Sequence, residues 1–214
     1  MIIPAIILTA ATVAPVNIPL PRYKVSDAFV YSDGRVERVR AVKGATIIWS
    51  GLNNTQYTRS RNPAVPVLNW RFGKGTGRRD IVGKANSLWP LGQPKSVRFR
   101  AIAYTKLKPQ SATRRAMTLW TCSSKKVKIV NIPLGSFDTI PIICDRFSAT
   151  TMRLIERIEW DYSPELRHYV RRASVDYSKG TRSTIVLTAA LSGPAAHRRR
   201  LAALSAAARA SNRN

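Results

Sequence analysis

The sequence has 214 residues, which fits one domain of ordinary size with short appendages. Hydrophobic residues make up 44% and aromatic residues 8% of the chain, enough for a packed core, so wholesale disorder is excluded. The net charge is +25, and only +5 of it falls in residues 193–214. The body of the chain is therefore itself basic and should attract polyanions such as nucleic acid, anionic lipid head groups or acidic cell-wall polymers.

Residues 1–14 form an apolar stretch that ends in small residues of the kind signal peptidase accepts, Thr12-Val13-Ala14. The stretch is too short for a transmembrane helix, and no other segment has the roughly 20 apolar residues that a span requires. No Lys or Arg precedes the apolar run, and Pro15 follows it directly, so a buried N-terminal strand is the alternative. We expect a signal peptide and export.

Residues 15–192 contain a succession of predicted strands. A Pro-rich lead-in, residues 15–24, precedes a hairpin whose turn contains Asp33-Gly34, a pair that tolerates positive φ. The predicted strands, marked by alternation of apolar and polar residues, are 28–31, 35–39, 45–49, 97–101, 117–122, 125–132, 140–144, 156–162, 169–172 and 184–187. Residues 58–91, rich in Pro and Gly, predict irregular strands and loops. We expect one antiparallel β domain.

Cys122 and Cys144 lie in two of these strands, and neither belongs to a Cys-x-x-Cys or Cys/His spacing. A zinc site is therefore excluded. A hairpin between the two cysteines would bring them close, which favours a disulfide given export; two buried free thiols are the alternative.

Residues 193–214 are rich in Ala and Arg, with high helix propensity and one weak apolar stripe, Leu201 and Leu204. They predict a short basic tail that is helical or disordered and that could become ordered on an anionic surface.

Catalytic motifs are absent from the sequence. No Gly-x-Ser-x-Gly or HExxH motif occurs, and Gly73–Gly77 resembles a phosphate loop only superficially, since no helix follows it. His168 beside Glu165 could form an acid–base pair, but a histidine at a strand edge with a satisfied hydrogen bond is the better interpretation. We expect no enzymatic activity, no metal and no cofactor.

A basic cluster interleaved with Tyr57, Trp70 and Phe72 is a candidate contact for single-stranded nucleic acid or another polyanion. Its members are Arg59, Arg61, Arg71, Lys74, Arg78 and Arg79. No known RNA-binding signature accompanies them, so a solvated basic face is the simpler interpretation.

Two motifs carry a resemblance to a family. The turn Gly135-Ser136-Phe137-Asp138-Thr139 and the later run Trp160-Asp161-Tyr162-Ser163-Pro164-Glu165 resemble a pattern in uncharacterised exported proteobacterial proteins, whose relatives include the lipoprotein carrier and acceptor proteins LolA and LolB. Arg167 stands where that pattern has Gly. The resemblance implies an open, strongly curved antiparallel sheet, a half-barrel, around an apolar groove.

The groove would be lined by inward-facing apolar residues of the predicted strands. These are Phe29, Tyr31, Trp49, Phe99, Trp120, Ile142, Ile158 and Trp160. The expected function is that of an exported, non-enzymatic envelope protein that binds an apolar or lipid-like ligand, or of an accessory subunit with a protein partner in an envelope complex. The alternative is a basic protein that binds nucleic acid or another polyanion.

Overall fold

The computed structural model describes residues 17–53, 55–72, 75–109 and 112–212. The predicted signal peptide, residues 1–14, lies outside the described residues. The described part contains thirteen strands, two 3-10 helices and one α-helix.

The strands account for most of the described chain and largely follow the predicted segments. They are β1 (Ala28–Tyr31), β2 (Val36–Lys43), β3 (Thr46–Ser50), β4 (Gln56–Ser60), β5 (Asn69–Phe72), β6 (Gly75–Val82), β7 (Ser96–Leu107), β8 (Thr113–Ser124), β9 (Lys128–Ile132), β10 (Gly135–Ser148), β11 (Leu154–Ser163), β12 (His168–Asp176) and β13 (Thr181–Leu191). The 3-10 helices span Ala85–Leu88 and Gly193–Ala196, and helix α1 spans Arg198–Ser211.

Alternation along the strands places one set of side chains in the interior. In β7, Phe99 and Ala101 are buried while Arg98 and Arg100 are exposed, because successive side chains of a strand point to opposite faces.

The β1–β2 hairpin turns at Gly34, whose φ of +78° lies in the region that favours glycine.

The sheet closes on itself. Twelve strands form a ring in the order β11-β12-β13-β1-β2-β3-β4-β5-β6-β7-β8-β10, and β10 also pairs with β11. The remaining strand, β9, pairs with the first part of β10. The expected open half-barrel is therefore wrong: the fold is a closed antiparallel barrel. Closure provides each strand of the ring with a partner on both sides, whereas an open sheet leaves two edges unpaired.

The predicted disulfide between Cys122 and Cys144 is confirmed. The two residues lie directly opposite each other in the β8–β10 pairing, with their Cα atoms 4.0 Å apart. Both are fully buried. The bond thus joins β8 to β10 next to the point where the ring closes.

Helix α1 packs on the outer face of the barrel instead of extending as a tail. Its buried Leu201 and Ala208 contact Ala28, Val30 and Val36, which alternate with the inward residues of β1 and β2. The helical form of the predicted tail is thus the one observed. The apolar stripe of the helix is buried because β1 carries apolar side chains on its outer face as well as on its inner face.

Removal of the disulfide should weaken the fold without changing it. In the paired variant Cys122→Ala/Cys144→Ala, the free energy of unfolding should fall by about 3 kcal/mol, since the bond closes a loop with a sequence separation of 22. Urea unfolding followed by circular dichroism measures this. The oxidised wild-type protein is the control, and equal midpoints for both proteins would contradict the expectation.

Candidate functional site

The eight predicted groove residues all belong to one buried core cluster. Each is exposed by 5% or less. Phe99 and Trp120 stack at 5.8 Å between ring centroids, and Trp49 contacts Phe29 at 6.2 Å. The strands therefore bring the predicted residues together as interior packing, and their contact with a ligand stays a prediction.

A polar network centred on Glu37 lies among these aromatic residues. The hydroxyls of Tyr57 and Tyr169 each donate to the Glu37 carboxylate at 2.8 Å, and that of Tyr31 lies at 3.4 Å. The guanidinium of Arg59 is 3.8 Å away. Glu37 is only 3% exposed, so four strands, β1, β2, β4 and β12, meet at one buried negative charge.

His168 extends the network. Its Nδ1 lies 2.8 Å from the Tyr23 hydroxyl and its Nε2 lies 2.6 Å from the Tyr31 hydroxyl, while Phe29 stacks on the ring at 3.7 Å. A neutral imidazole has one donor and one acceptor nitrogen. One tyrosine therefore donates to the ring and the other accepts from it.

Burial and pairing determine the charge states of both groups. Burial alone would raise the pKa of Glu37, but Arg59 and the hydrogen bonds from Tyr57 and Tyr169 lower it to about 2. Burial lowers the pKa of His168 to about 3, despite the nearby Glu37. At neutral pH, Glu37 is ionised and His168 is neutral.

The network was not predicted from the sequence. His168 is buried and bonded to two tyrosines, and Glu165, with which an acid–base pair was considered, is exposed. Glu37 was not singled out in the sequence; strand alternation places it on the same face as Val39, and both are buried. Because both Glu37 oxygens and both His168 nitrogens already have partners, the arrangement is suited to joining strands.

A cavity of about 530 Å³ reaches the base of this network. Glu37, Tyr57 and Arg59 line it, together with Phe72 and Arg209 at the end of helix α1. Two acidic residues, Asp33 and Glu37, and three arginines, Arg35, Arg59 and Arg209, line this cavity.

The described residues that were predicted as a polyanion contact lie on or next to the adjacent strands β4, β5 and β6, and their contact with a polyanion stays a prediction. Arg59 is directed toward Glu37, Arg79 stacks on Trp70 at 4.9 Å, and Arg78 pairs with Asp80 at 3.1 Å. Arg71 is exposed and Arg61 is half-buried. Lys74 lies outside the described residues.

An apolar groove opens on the outside of the barrel, and we call it the outer groove. It has a volume of about 550 Å³ and lies across β6, β7, β8 and β10. Its apolar lining includes Val82, Leu119, Phe147 and Met152, beside Arg98 and Arg100; the predicted residues Phe99 and Trp120 also line it. No carboxylate lines this groove.

The outer groove exposes apolar side chains next to positively charged ones. Met152 is 62% exposed and Val82 is 40% exposed. Within the part of the chain that the structure describes, Arg98 and Arg100 form no ion pair. The groove therefore combines apolar contact area with unpaired positive charge.

Among the described residues, no group of three or more His, Cys, Asp and Glu side chains gathers in a way that could hold a metal ion. The helices of that same part of the chain are too short or too polar to cross a lipid bilayer.

Comparison with known proteins gives a structural likeness. No family model and no curated protein matches the sequence. The hypothetical lipoprotein YmcC of Escherichia coli K12 aligns over 76% of this chain and 82% of its own, with a TM-score of 0.50 and 8% identity. An exported-type protein of Bacteroides fragilis with a YmcC-like fold aligns over 82% of this chain and all of its own, with a TM-score of 0.39 and 13% identity. The likeness to YmcC is one of fold.

Buried Glu37 should stabilise the fold more than a surface carboxylate does. In Glu37→Gln, the free energy of unfolding should fall by about 3 kcal/mol or more, because Arg59 is left without its counter-charge. Asp145→Asn is the matched control, since its pair with Arg157 is solvated, and it should cost about 1 kcal/mol or less. Urea unfolding of both variants measures the difference; equal losses would contradict it.

The protein should lose stability in acid in two stages. Between its ordinary pKa of 6.5 and its pKa of about 3 in the folded protein, His168 is protonated in the unfolded chain and neutral in the folded one. The free energy of unfolding therefore decreases as the pH is lowered through this range. Glu37 adds to the loss between 4.5 and about 2.

His168 should account for about 2 kcal/mol of the loss between neutral pH and pH 5. Urea unfolding at several pH values measures it, and His168→Gln is the control because it cannot titrate. The slope of stability against pH between 6.5 and 5 should be shallower in the variant; identical slopes would show that His168 does not contribute.

Proposed function

We propose that the chain is an exported, non-enzymatic envelope protein that binds a lipid-like ligand with an anionic head group in the outer groove. The observation that carries the proposal is the apolar lining of the outer groove beside two arginines, Arg98 and Arg100, with no carboxylate present. The apolar residues would contact an acyl chain, and the arginines would bind the head group.

Export is supported by three features. The chain carries a disulfide, a bond that persists in oxidising compartments. Residues 1–14 have the composition of a signal peptide. The neighbour YmcC is described as a lipoprotein.

The outer groove suits a ligand of lipid size better than the barrel interior does. Its volume of about 550 Å³ lies within the usual range of small-molecule sites. The interior is occupied by core side chains such as Trp49, Trp120 and Trp160, so an acyl chain could enter only by displacing them. The proposal accordingly places the ligand on the outside of the barrel.

The arginines explain why the ligand should be anionic. Guanidinium groups bind carboxylates and phosphates through paired hydrogen bonds. Arg98 and Arg100 are exposed beside the apolar lining, and water would otherwise be their partner. A ligand with an acidic head and an apolar chain satisfies both parts of the groove, whereas a neutral lipid satisfies one.

Binding of nucleic acid or another polyanion is the second candidate, and the net charge of +25 favours it. Against it, three of its predicted contact residues already have partners: Arg59 pairs with Glu37, Arg78 pairs with Asp80 and Arg79 stacks on Trp70. This candidate predicts affinity that falls steeply with salt, and a nearly constant affinity for an oligonucleotide between low and moderate salt would exclude it.

Single-chain lipids test the proposal directly. We expect the protein to bind palmitate and a lysophospholipid with a phosphoglycerol head more tightly than a lysophospholipid with a phosphocholine head, measured by calorimetry below micelle-forming concentrations. Leu119→Glu should lower the affinity about tenfold or more, because it places a carboxylate in the apolar lining.

The matched control is Val175→Glu, which makes the same kind of change on β12, outside the groove. It should leave the affinity within about twofold, a difference of less than 0.5 kcal/mol. Equal losses in the two variants, no preference for the anionic head, or binding to vesicles without binding to single lipids would each contradict the proposal.

A further inference from the structure

A third cavity lies several strands away from the outer groove, beside the start of helix α1. It has a volume of about 340 Å³, and its polar lining is formed by Arg38 and Arg40 of β2, Ser50 of β3, Gln56 of β4 and Arg198 of α1. No carboxylate lines it. Three positive charges therefore surround one cavity, with neutral hydrogen-bonding groups between them.

The three arginines have few partners of their own. In residues 17–212, as far as the structure describes them, none forms an ion pair. Arg38 donates weakly to Ser26 at 3.3 Å and Arg198 to the Leu52 carbonyl at 3.3 Å. The Nε of Arg38 is buried without a hydrogen-bond partner. A buried donor without an acceptor is costly, and an anion in the cavity would supply acceptors.

The backbone directs Arg40 toward the same cavity. The β2–β3 register shifts between Val39 and Ala41, so that Arg40 is the extra residue of a bulge. Residues two apart in a strand point to the same face, so Arg38 and Arg40 share the outer face of β2. As a result, Arg38 and Arg40 line one cavity together.

Helix α1 adds positive charge where a helix disfavours it. Its first turn contains Arg198, Arg199 and Arg200 and no acidic residue. The N-terminal end of a helix already carries partial positive charge, so cations there are unfavourable and anions favourable. The fold thus concentrates repulsive charge at one place, and a bound anion would relieve it.

We infer that Arg38, Arg40 and Arg198 form a binding site for a phosphoryl group, with Ser50 and Gln56 as neutral partners. Guanidinium groups match the geometry and charge of phosphate oxygens, and three of them favour a dianion over a carboxylate. The cavity is larger than one phosphate, which leaves room for the remainder of a phosphate ester. The inference is independent of the proposed function, because none of its residues lines the outer groove.

Calorimetric titration of the full chain with glycerol 3-phosphate and with inorganic phosphate tests the inference, at constant ionic strength with acetate as the monoanionic comparison. We expect both phosphates to bind more tightly than acetate. Arg40→Gln and Arg198→Gln should each lower the affinity about tenfold, the effect of losing one charged hydrogen-bonding partner. Arg182→Gln, at an exposed arginine on β13, should leave it within about twofold.

Arg40→Gln separates an effect on binding from an effect on folding. Arg40 is exposed and makes no ion pair in the described structure, so its replacement should not change the unfolding temperature of the ligand-free protein. Vesicles of phosphatidylglycerol distinguish a lipid head group from a soluble phosphate as the ligand. If Arg40→Gln weakens binding to the vesicles, the site binds a lipid head group. If only soluble phosphates bind, the site binds a solute. Equal affinity for acetate and phosphate, or equal losses in Arg40→Gln and Arg182→Gln, would overturn the inference.

Discussion

Strand β10 pairs with β8 along one side and with β11 along the other, and this double pairing turns a long sheet into a barrel. The disulfide joins β8 and β10 beside the same junction. Once the ring is closed, its inward side chains have a fixed volume to fill, and aromatic residues fill it. The binding surfaces that the fold offers are consequently on its outside and at its ends, which is where all the open cavities described above lie.

Electrostatics follow from the same arrangement. Glu37 is buried among tyrosine hydroxyls and Arg59, and most of the excess positive charge is left on the outer face. At +25, that face repels itself, a cost that a covalent bond and a well-packed interior help to offset. Arginines without acidic partners are therefore found on several surfaces. A cavity is what distinguishes a binding site from the rest of this basic surface.

The local features of the fold could be predicted from the sequence, and its long-range features could not. Alternation identified ten of the strands but not β4, β5 and β6, which fall in or at the edge of residues 58–91. Asp33-Gly34 identified a hairpin, and the two cysteines were paired correctly. Closure depends on pairings such as Ala28 with Leu191, which no local pattern records. Glu37 was missed because its partners Tyr57, Arg59 and Tyr169 come from other strands, and no local pattern marks such a contact. The outer groove was missed because Leu119 and its neighbour Trp120 point to opposite faces of β8. Both faces are therefore apolar at this position, and alternation does not mark the outer one.

The pairing of β1 with β13 also constrains when the protein can form. Residues near the beginning of the described chain must wait for strand partners that are more than 150 residues later, so no complete ring exists until nearly the whole chain is available. Contacts this distant in sequence slow folding and leave strand edges exposed in the meantime. A chain that crosses a membrane before folding would therefore remain extended during transit and assemble its barrel only after the last strand has emerged.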